Sequence, residues 1–259
     1  MPKILFWNIN KKNLINEIVD VLKTHDFDVL ILAESEIDDD VLLDFLNFGR
    51  ERVFFKDINI SKRIKFYSTY DKNNFQIILD DGYFSIRKLS TYIGPDILLV
   101  AVHLPSKLHA EPVDQLMESH YLSSEIKKCE EERGLSNTLV IGDFNMSPFE
   151  DGMVSASGLH AILDQEIVRK LSRIVKNREY PFFYNPMWGR LGDLTVGPPG
   201  THKYSKSVEV NYFWHTFDQV LLRPGLLDYF SPENMSVVEA GGSDHYPIFI
   251  NLETEVIND

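Results

Sequence analysis

Cysteine is almost missing from this chain of 259 residues: Cys129 is the only one. Without a second thiol no intrachain disulfide can form, so nothing demands an oxidising compartment, and a zinc finger is excluded for the same reason. Long apolar runs are missing too. No stretch approaches the ~20 apolar residues of a membrane span. The apolar opening, Met1 to Trp7, is broken by Lys3 and followed by Asn8 and Asn10, too short for a secretory core. The sequence therefore reads as cytoplasmic, with no membrane attachment and no obligate protein partner in evidence. Positive charge is scarce as well, with 26 Lys+Arg against 39 Asp+Glu and a net charge of −13. That balance argues against gripping nucleic acid or an anionic membrane by bulk charge. It leaves room for a nucleic-acid enzyme, because a metal site needs clustered carboxylates and a bound cation offsets them locally.

What is present is an ordinary globular composition, 44% hydrophobic and 25% charged, in a chain long enough for a substantial core. Apolar β-forming runs alternate with helical periodicities. Lys3 to Trp7, Asp28 to Ala33, Ile97 to Val102, Thr138 to Ile141, Tyr212 to Trp214, Phe217 to Leu222 and Pro247 to Leu252 read as strands. A hairpin spans Gln76 to Leu89 and turns at Asp80-Asp81-Gly82. Leu14, Ile15, Ile18, Val21 and Leu22 mark one helix. Asp38-Asp39-Asp40 opens a second as its cap and not as a metal site, with Val41, Leu42, Phe45 and Leu46 inward. A third helix carries Val113, Leu116, Met117, His120, Tyr121 and Cys129 on one face. A fourth is expected from Leu163, Ile167, Leu171 and Ile174. No repeat, low-complexity tract or linker interrupts the chain, so one α/β domain covering 1–259 is expected.

The chemistry gathers where those strands end. Ile141-Gly142-Asp143-Phe144-Asn145 closes an apolar run with a carboxylate and a carboxamide at i and i+2, which share a face while Phe144 turns inward. Asn8 and Asn10 repeat that spacing after the first strand, and Glu34 closes the second. His103 follows the strand at 97–102, Asp218 opens another, and Asp244-His245 precede the last. Each has a bland reading: a loop glutamate, a satisfied core histidine, ordinary Asx turns. Taken together they suit metal-assisted phosphoryl chemistry. Glu34 can hold a hard cation such as Mg²⁺. His245 can move a proton near neutral pH while Asp218 fixes its tautomer. Asn8 and Asn145 can donate to phosphate oxygens as charge builds.

The wording and order of these blocks resemble the endonuclease/exonuclease/phosphatase superfamily, of the exonuclease III and deoxyribonuclease I type. The resemblance runs from Phe6-Trp7-Asn8-Ile9-Asn10 through Leu32-Ala33-Glu34, Val102-His103-Leu104-Pro105-Ser106 and Gly142-Asp143-Phe144-Asn145. It ends with Phe217-Asp218-Gln219-Val220-Leu221 and Ser243-Asp244-His245-Tyr246-Pro247. It implies a four-layer sandwich of two facing mixed β-sheets flanked by helices. By the same resemblance Glu34 is the main ligand of Mg²⁺, or of Mn²⁺ in its place, with Asn10 and Asp244 on the metal side. Asp143 orients or deprotonates the attacking water, Asn8 and Asn145 hold the phosphate, and Asp218 and His245 form a dyad. His103 matches the general acid of the deoxyribonuclease I branch. The general base is read in the family at either the dyad or the GDxN aspartate. Ala33 stands where a glutamine is usual, and no tyrosine can be placed as that of the abasic-site endonucleases.

Nucleic acid is the expected substrate, cleaved at its phosphodiester bonds, with a small phosphoester such as a nucleotide or inositol phosphate as the alternative that the net charge favours. Residues 180–206 are the least regular part of the chain. Five aromatics in nine residues, ending at Trp188, are followed by Arg190 and Lys203. Such a segment suits stacking on bases, and equally a loop folded over its own small core. Lys170, Arg173, Lys176 and Arg178 form either a solvated face or a phosphate-steering one. A catalytically dead binding module is disfavoured by the intact set of carboxylates and histidine.

Overall fold

A computed structural model describes residues 1–107, 111–204 and 213–253. Its frame is two large sheets. The first is six-stranded, with Met235–Val237, Ile248–Asn251, Lys3–Asn8, Val29–Ala33, Ile64–Ser68 and Phe55–Lys56 side by side in that order. The second is seven-stranded, ordered Phe75–Asp80, Phe84–Leu89, Ile97–His103, Thr138–Asp143, Asp218–Leu222, Phe183–Tyr184 and Ala161–Ile162. Both are mixed. Lys3–Asn8 runs parallel to Val29–Ala33, and Ile97–His103 parallel to Thr138–Asp143, while their outer neighbours are antiparallel.

The layering follows from strict alternation along strands buried on both faces. Ile4 and Phe6, Val29 and Ile31, Ile97 and Leu99, Leu139 and Ile141, and Val220 and Leu222 all enter one cluster, which fills the space between the sheets. Their alternates split two ways. Leu5, Trp7, Leu30 and Leu32 pack under the helices Ile15–His25 and Asp39–Asn47. Leu98, Val100, Val140 and Leu221 pack under the helix Pro112–Arg133. Helices, sheet, sheet and helix make the α/β sandwich expected from the sequence. Among the described residues no helix is long and apolar enough to cross a membrane.

Most predicted elements stand, including the Asp38 cap, whose Oδ1 accepts from the amides of Asp40 and Val41 at 3.1 Å each. Asp39 turns to Lys56, Lys65 and Tyr67, which hold its carboxyl down at about 2 although burial pushes the other way.

Three expectations fail. The helix at 163–174 is a single turn, Gln165–Val168, followed by a hairpin of Ser172–Val175 with Arg178–Pro181. Leu171, Lys176 and Asn177 all take positive φ, and the last two form the tight turn. Leu163, Ile167, Leu171 and Ile174 are exposed, as are Val41 and Phe45 on the second helix. On the long helix the buried stripe is Gln115, Ser119, Leu122, Ile126 and Cys129, while Val113, Met117 and Tyr121 face water. The expected strand at 212–214 begins outside the described residues, and Trp214–His215 is what is seen.

Candidate active site

Register builds the site. His103 pairs with Asp143, and Asp143 with Asp218, so the three occupy one row across three adjacent strands of the second sheet. They continue the inner-face series Ala101, Ile141 and Val220, so all three point into the layer between the sheets, at its end. Asn8 continues Ile4 and Phe6 in the same way from the opposite sheet. The row is this tight because residue 142 is glycine. A Cβ there would lie 2.1 Å from the Val102 carbonyl oxygen, at a φ of +150°.

The loops of the two sheets close over this row. Glu34 ends its strand at a φ of +50°, a strained conformation for a residue with a side chain, and its Oε1 lies 3.3 Å from both His103 Nε2 and Asn8 Nδ2. The His103 contact, aided by Asn8, holds the Glu34 carboxyl below its ordinary range against burial. The same Asn8 Nδ2 donates to Asp143 Oδ2 at 3.1 Å, while its Oδ1 accepts from the amide of Asn10. Asn10 Nδ2 reaches both oxygens of Asp244 at 3.0 Å. Ser243 Oγ donates to the Asn8 carbonyl, joining the last block to the first.

Asp143 and Asn145 do stand together, but as an Asx turn: the Asn145 amide donates to Asp143 Oδ1 at 2.9 Å. Asn145 Nδ2 spends one hydrogen on the Leu104 carbonyl, and its second remains for a ligand. Beneath this loop Gln115 Nε2 donates to the carbonyls of Asn145 and Pro105, which is why a polar residue lies on the helix's buried stripe. Gln219 Nε2 donates to the Met146 carbonyl at 2.6 Å and is held by Asn185 Nδ2 at 2.8 Å.

His245 Nδ1 lies 2.8 Å from Asp218 Oδ2. Asp218 is fully buried, and its Oδ1 has no hydrogen-bond partner among the described residues. Burial pulls the His245 imidazolium down, but Asp218 first, with Asp143 and Asp244 adding, raises it to about 9. The Asp218 amide donates to Thr201 Oγ1, and Trp7 Nε1 donates to the His245 carbonyl. Asp143, Asp218 and His245 thus form a buried group whose ligand atoms lie within 4.8 Å of one another. Two buried carboxylates so close call for positive charge, which the imidazolium supplies in part.

Asn8, Asn10, Glu34, His103, Asp143, Asn145, Asp218, Asp244 and His245 therefore meet in one place. The proposed substrate segment is less uniform. Trp188 packs edge-on to Phe149 with ring centres 6.2 Å apart, and Lys203 lies over the Trp214 ring while its amide donates to the Asp244 carbonyl. Arg190 spends its guanidinium on the carbonyls of Pro232 and Met235, so it pins two segments together instead of facing a ligand. Residues not singled out from sequence are Gln115, Asn185, Thr201, His202 and Gln219. Thr201 and His202 lie inside the irregular segment, with no periodicity to mark them.

The sequence model of the Endonuclease/Exonuclease/phosphatase family matches residues 5–245, and the chain belongs to that family, whose members hydrolyse phosphoester bonds. Solved structures agree in fold. A family protein from Bacteroides thetaiotaomicron is 14% identical with a TM-score of 0.55, covering 96% of each chain. The endonuclease domain of TRAS1, a telomere-specific non-LTR retrotransposon, is 17% identical with a TM-score of 0.53, over 97% of this chain and 98% of that one. A humanized D. rerio TDP2 is 16% identical with a TM-score of 0.55, over 96% and 97%. No curated protein matches the sequence.

Proposed function

We propose that the protein is a divalent-metal-dependent phosphodiesterase that cleaves nucleic acid by attack of water on phosphorus, within a single domain spanning 1–259. One observation carries this reading: the His103–Asp143–Asp218 row of one sheet faces Asn8 and Glu34 of the other, with His245 seated on Asp218.

The residues present fit a hard cation. Glu34 is half-buried, with its side chain 30% exposed, and Asp244 is held for ionisation by His202, with Asn10 adding. Glu34, Asp244 and the carboxamide of Asn10 are the oxygen donors that Mg²⁺ or Mn²⁺ prefers. When bound, such an ion neutralises charge that builds on the phosphate oxygens.

The chain's own groups do the rest. Asn8 and the free hydrogen of Asn145 donate to non-bridging oxygens. Asp143, acceptor only when ionised, orients the attacking water and takes its proton. His245, kept charged at neutral pH by Asp218, stabilises the anionic phosphorus centre through Nε2. His103, whose Nε2 contacts Glu34, donates a proton to the leaving oxygen.

The pinned Arg190 and the net charge of −13 favour a second reading, a small phosphoester substrate such as a nucleotide or inositol phosphate. The dependence of kcat/KM on salt separates the two. A nucleic-acid substrate held by several phosphates loses affinity steeply with rising salt, with a log–log slope of about −0.7 to −0.9 per neutralised phosphate. A nearly flat response supports the small substrate.

A further inference from the structure

His202 touches neither the substrate nor the reacting atoms in the reaction just described, where it only helps to keep Asp244 ionised; it is buried at 6% exposure and its Nδ1 has no hydrogen-bond partner among the described residues. Its Nε2 lies 3.8 Å from Asp244 Oδ2, too far for a good hydrogen bond. A buried imidazole with one nitrogen unpartnered and the other only loosely engaged is costly. Packing nevertheless fixes it. Its ring lies edge-on to Tyr204 and to His245, each with centres 4.5 Å apart, and near Phe217 at 5.4 Å.

The backbone is fixed as well. His202 bridges to His245, the Lys203 amide donates to the Asp244 carbonyl at 2.9 Å, and the Tyr246 amide donates to the Thr201 carbonyl at 2.7 Å. Two chain segments are thus stitched together with His202, Asp244 and His245 on them. Ligand atoms of these three side chains lie within 4.8 Å of one another. Asp218 engages Nδ1 of His245, so Nε2 is the nitrogen His245 can offer.

We propose that His202, Asp244 and His245 Nε2 form a binding site for a transition-metal cation, one that takes Zn²⁺ in preference to Mg²⁺ and switches the enzyme off when filled. Two imidazoles and one carboxylate form a three-ligand set that suits tetrahedral Zn²⁺ at about 2 Å, leaving a fourth position for water. Mg²⁺ seeks octahedral oxygen ligands and has little use for two imidazoles. The small inward movement needed falls on side chains, since the backbone is already in place. A cation on Nε2 displaces the Nε2 proton of His245 to solvent and draws Asp244 away from Asn10, so turnover stops without loss of fold. The site is a property of these three residues and does not depend on which phosphoester is cleaved.

The test is calorimetric titration of the full chain with zinc chloride in millimolar Mg²⁺, without substrate, for wild type and His202→Phe. The phenyl ring preserves the packing on Tyr204, Phe217 and His245 and removes both nitrogens. Wild type is expected to bind one Zn²⁺, and the variant to lose more than the roughly 10–100-fold that removal of a merely supporting residue costs. Equal affinity in the variant, or no stoichiometric binding by wild type, overturns the proposal. A second measurement stands if the variant folds poorly. Co²⁺ bound to wild type should give the intense visible bands of a four-coordinate, nitrogen-ligated ion, and the weak bands of an octahedral oxygen site would contradict the assignment. Where turnover is measurable, the Zn²⁺ concentration that halves each protein's own Zn²⁺-free rate should be far higher for His202→Phe than for wild type.

Discussion

His103 Nε2 and Glu34 Oε1 meet at 3.3 Å although they belong to different sheets. His103 ends an inner strand of one, and Glu34 follows an inner strand of the other. Their contact closes the end of the apolar layer and turns the mouth of the sandwich into a polar site. Stability of the layer and geometry of the site are therefore linked.

Glu34→Gln should weaken Mg²⁺ affinity and reduce turnover by at least about 10²-fold, in line with the several kcal/mol of charge stabilisation a bound ion supplies, while the amide oxygen still accepts from Asn8 and His103. Because the shape is kept, the unfolding midpoint should move little. Mg²⁺ titration by calorimetry reads the effect, and unchanged affinity would remove Glu34 from the metal side.

The His245 imidazole in metal-free protein should titrate near pH 9, well above its ordinary 6.5. The folded value is raised, so its contribution to stability is fully present below about pH 6.5 and fades as pH climbs through 9. Asp218→Asn removes the charge responsible, so the ring should then titrate far lower and that decline should disappear. Ring proton shifts against pH measure both proteins, and identical curves would mean that Asp218 does not hold the dyad.

Gly142→Ala should cost several kcal/mol, since the new methyl meets the Val102 carbonyl at 2.1 Å and the strands must part. Parting them also displaces His103 from Asp143. Gly49→Ala is the contrast: its φ is +69° but nothing among the described residues lies within 4 Å, so only about 1 kcal/mol is expected. Denaturant unfolding of the pair should separate the two costs.

Arg190→Ala should act on stability, by roughly 1–3 kcal/mol, through the carbonyls of Pro232 and Met235 that it leaves unpaired. Lys203→Ala, where an exposed cation lies over Trp214 beside the site, should instead raise KM and flatten the salt dependence. The reverse pattern would restore Arg190 as a substrate contact.

The central strands were legible because their apolar runs are unbroken and end in polar pairs, and the alternation that fills three separate layers can be read from each. The candidate residues were legible for the same reason, each marking where a buried strand stops. Failures came where spacing was trusted over turn chemistry. Leu163, Ile167, Leu171 and Ile174 are spaced like a helix, yet Lys176-Asn177 forms a two-residue turn that makes a hairpin, and the asparagine there was the available signal. The long helix was read by its apolar residues, while its buried stripe begins with Gln115 and Ser119 because Gln115 serves the Asn145 loop. His202 had no signal at all, since only the fold brings it to Asp244.

The most direct test is Mg²⁺-dependent cleavage of a labelled panel holding single- and double-stranded DNA, an abasic duplex and RNA, with wild type and His245→Ala run side by side. Cleavage of at least one nucleic acid by wild type, lost in the variant and in the presence of a chelator, is the result predicted. Silence across the panel from a folded, Mg²⁺-binding wild type, with phosphate released instead from nucleotides or inositol phosphates, would contradict the nuclease reading.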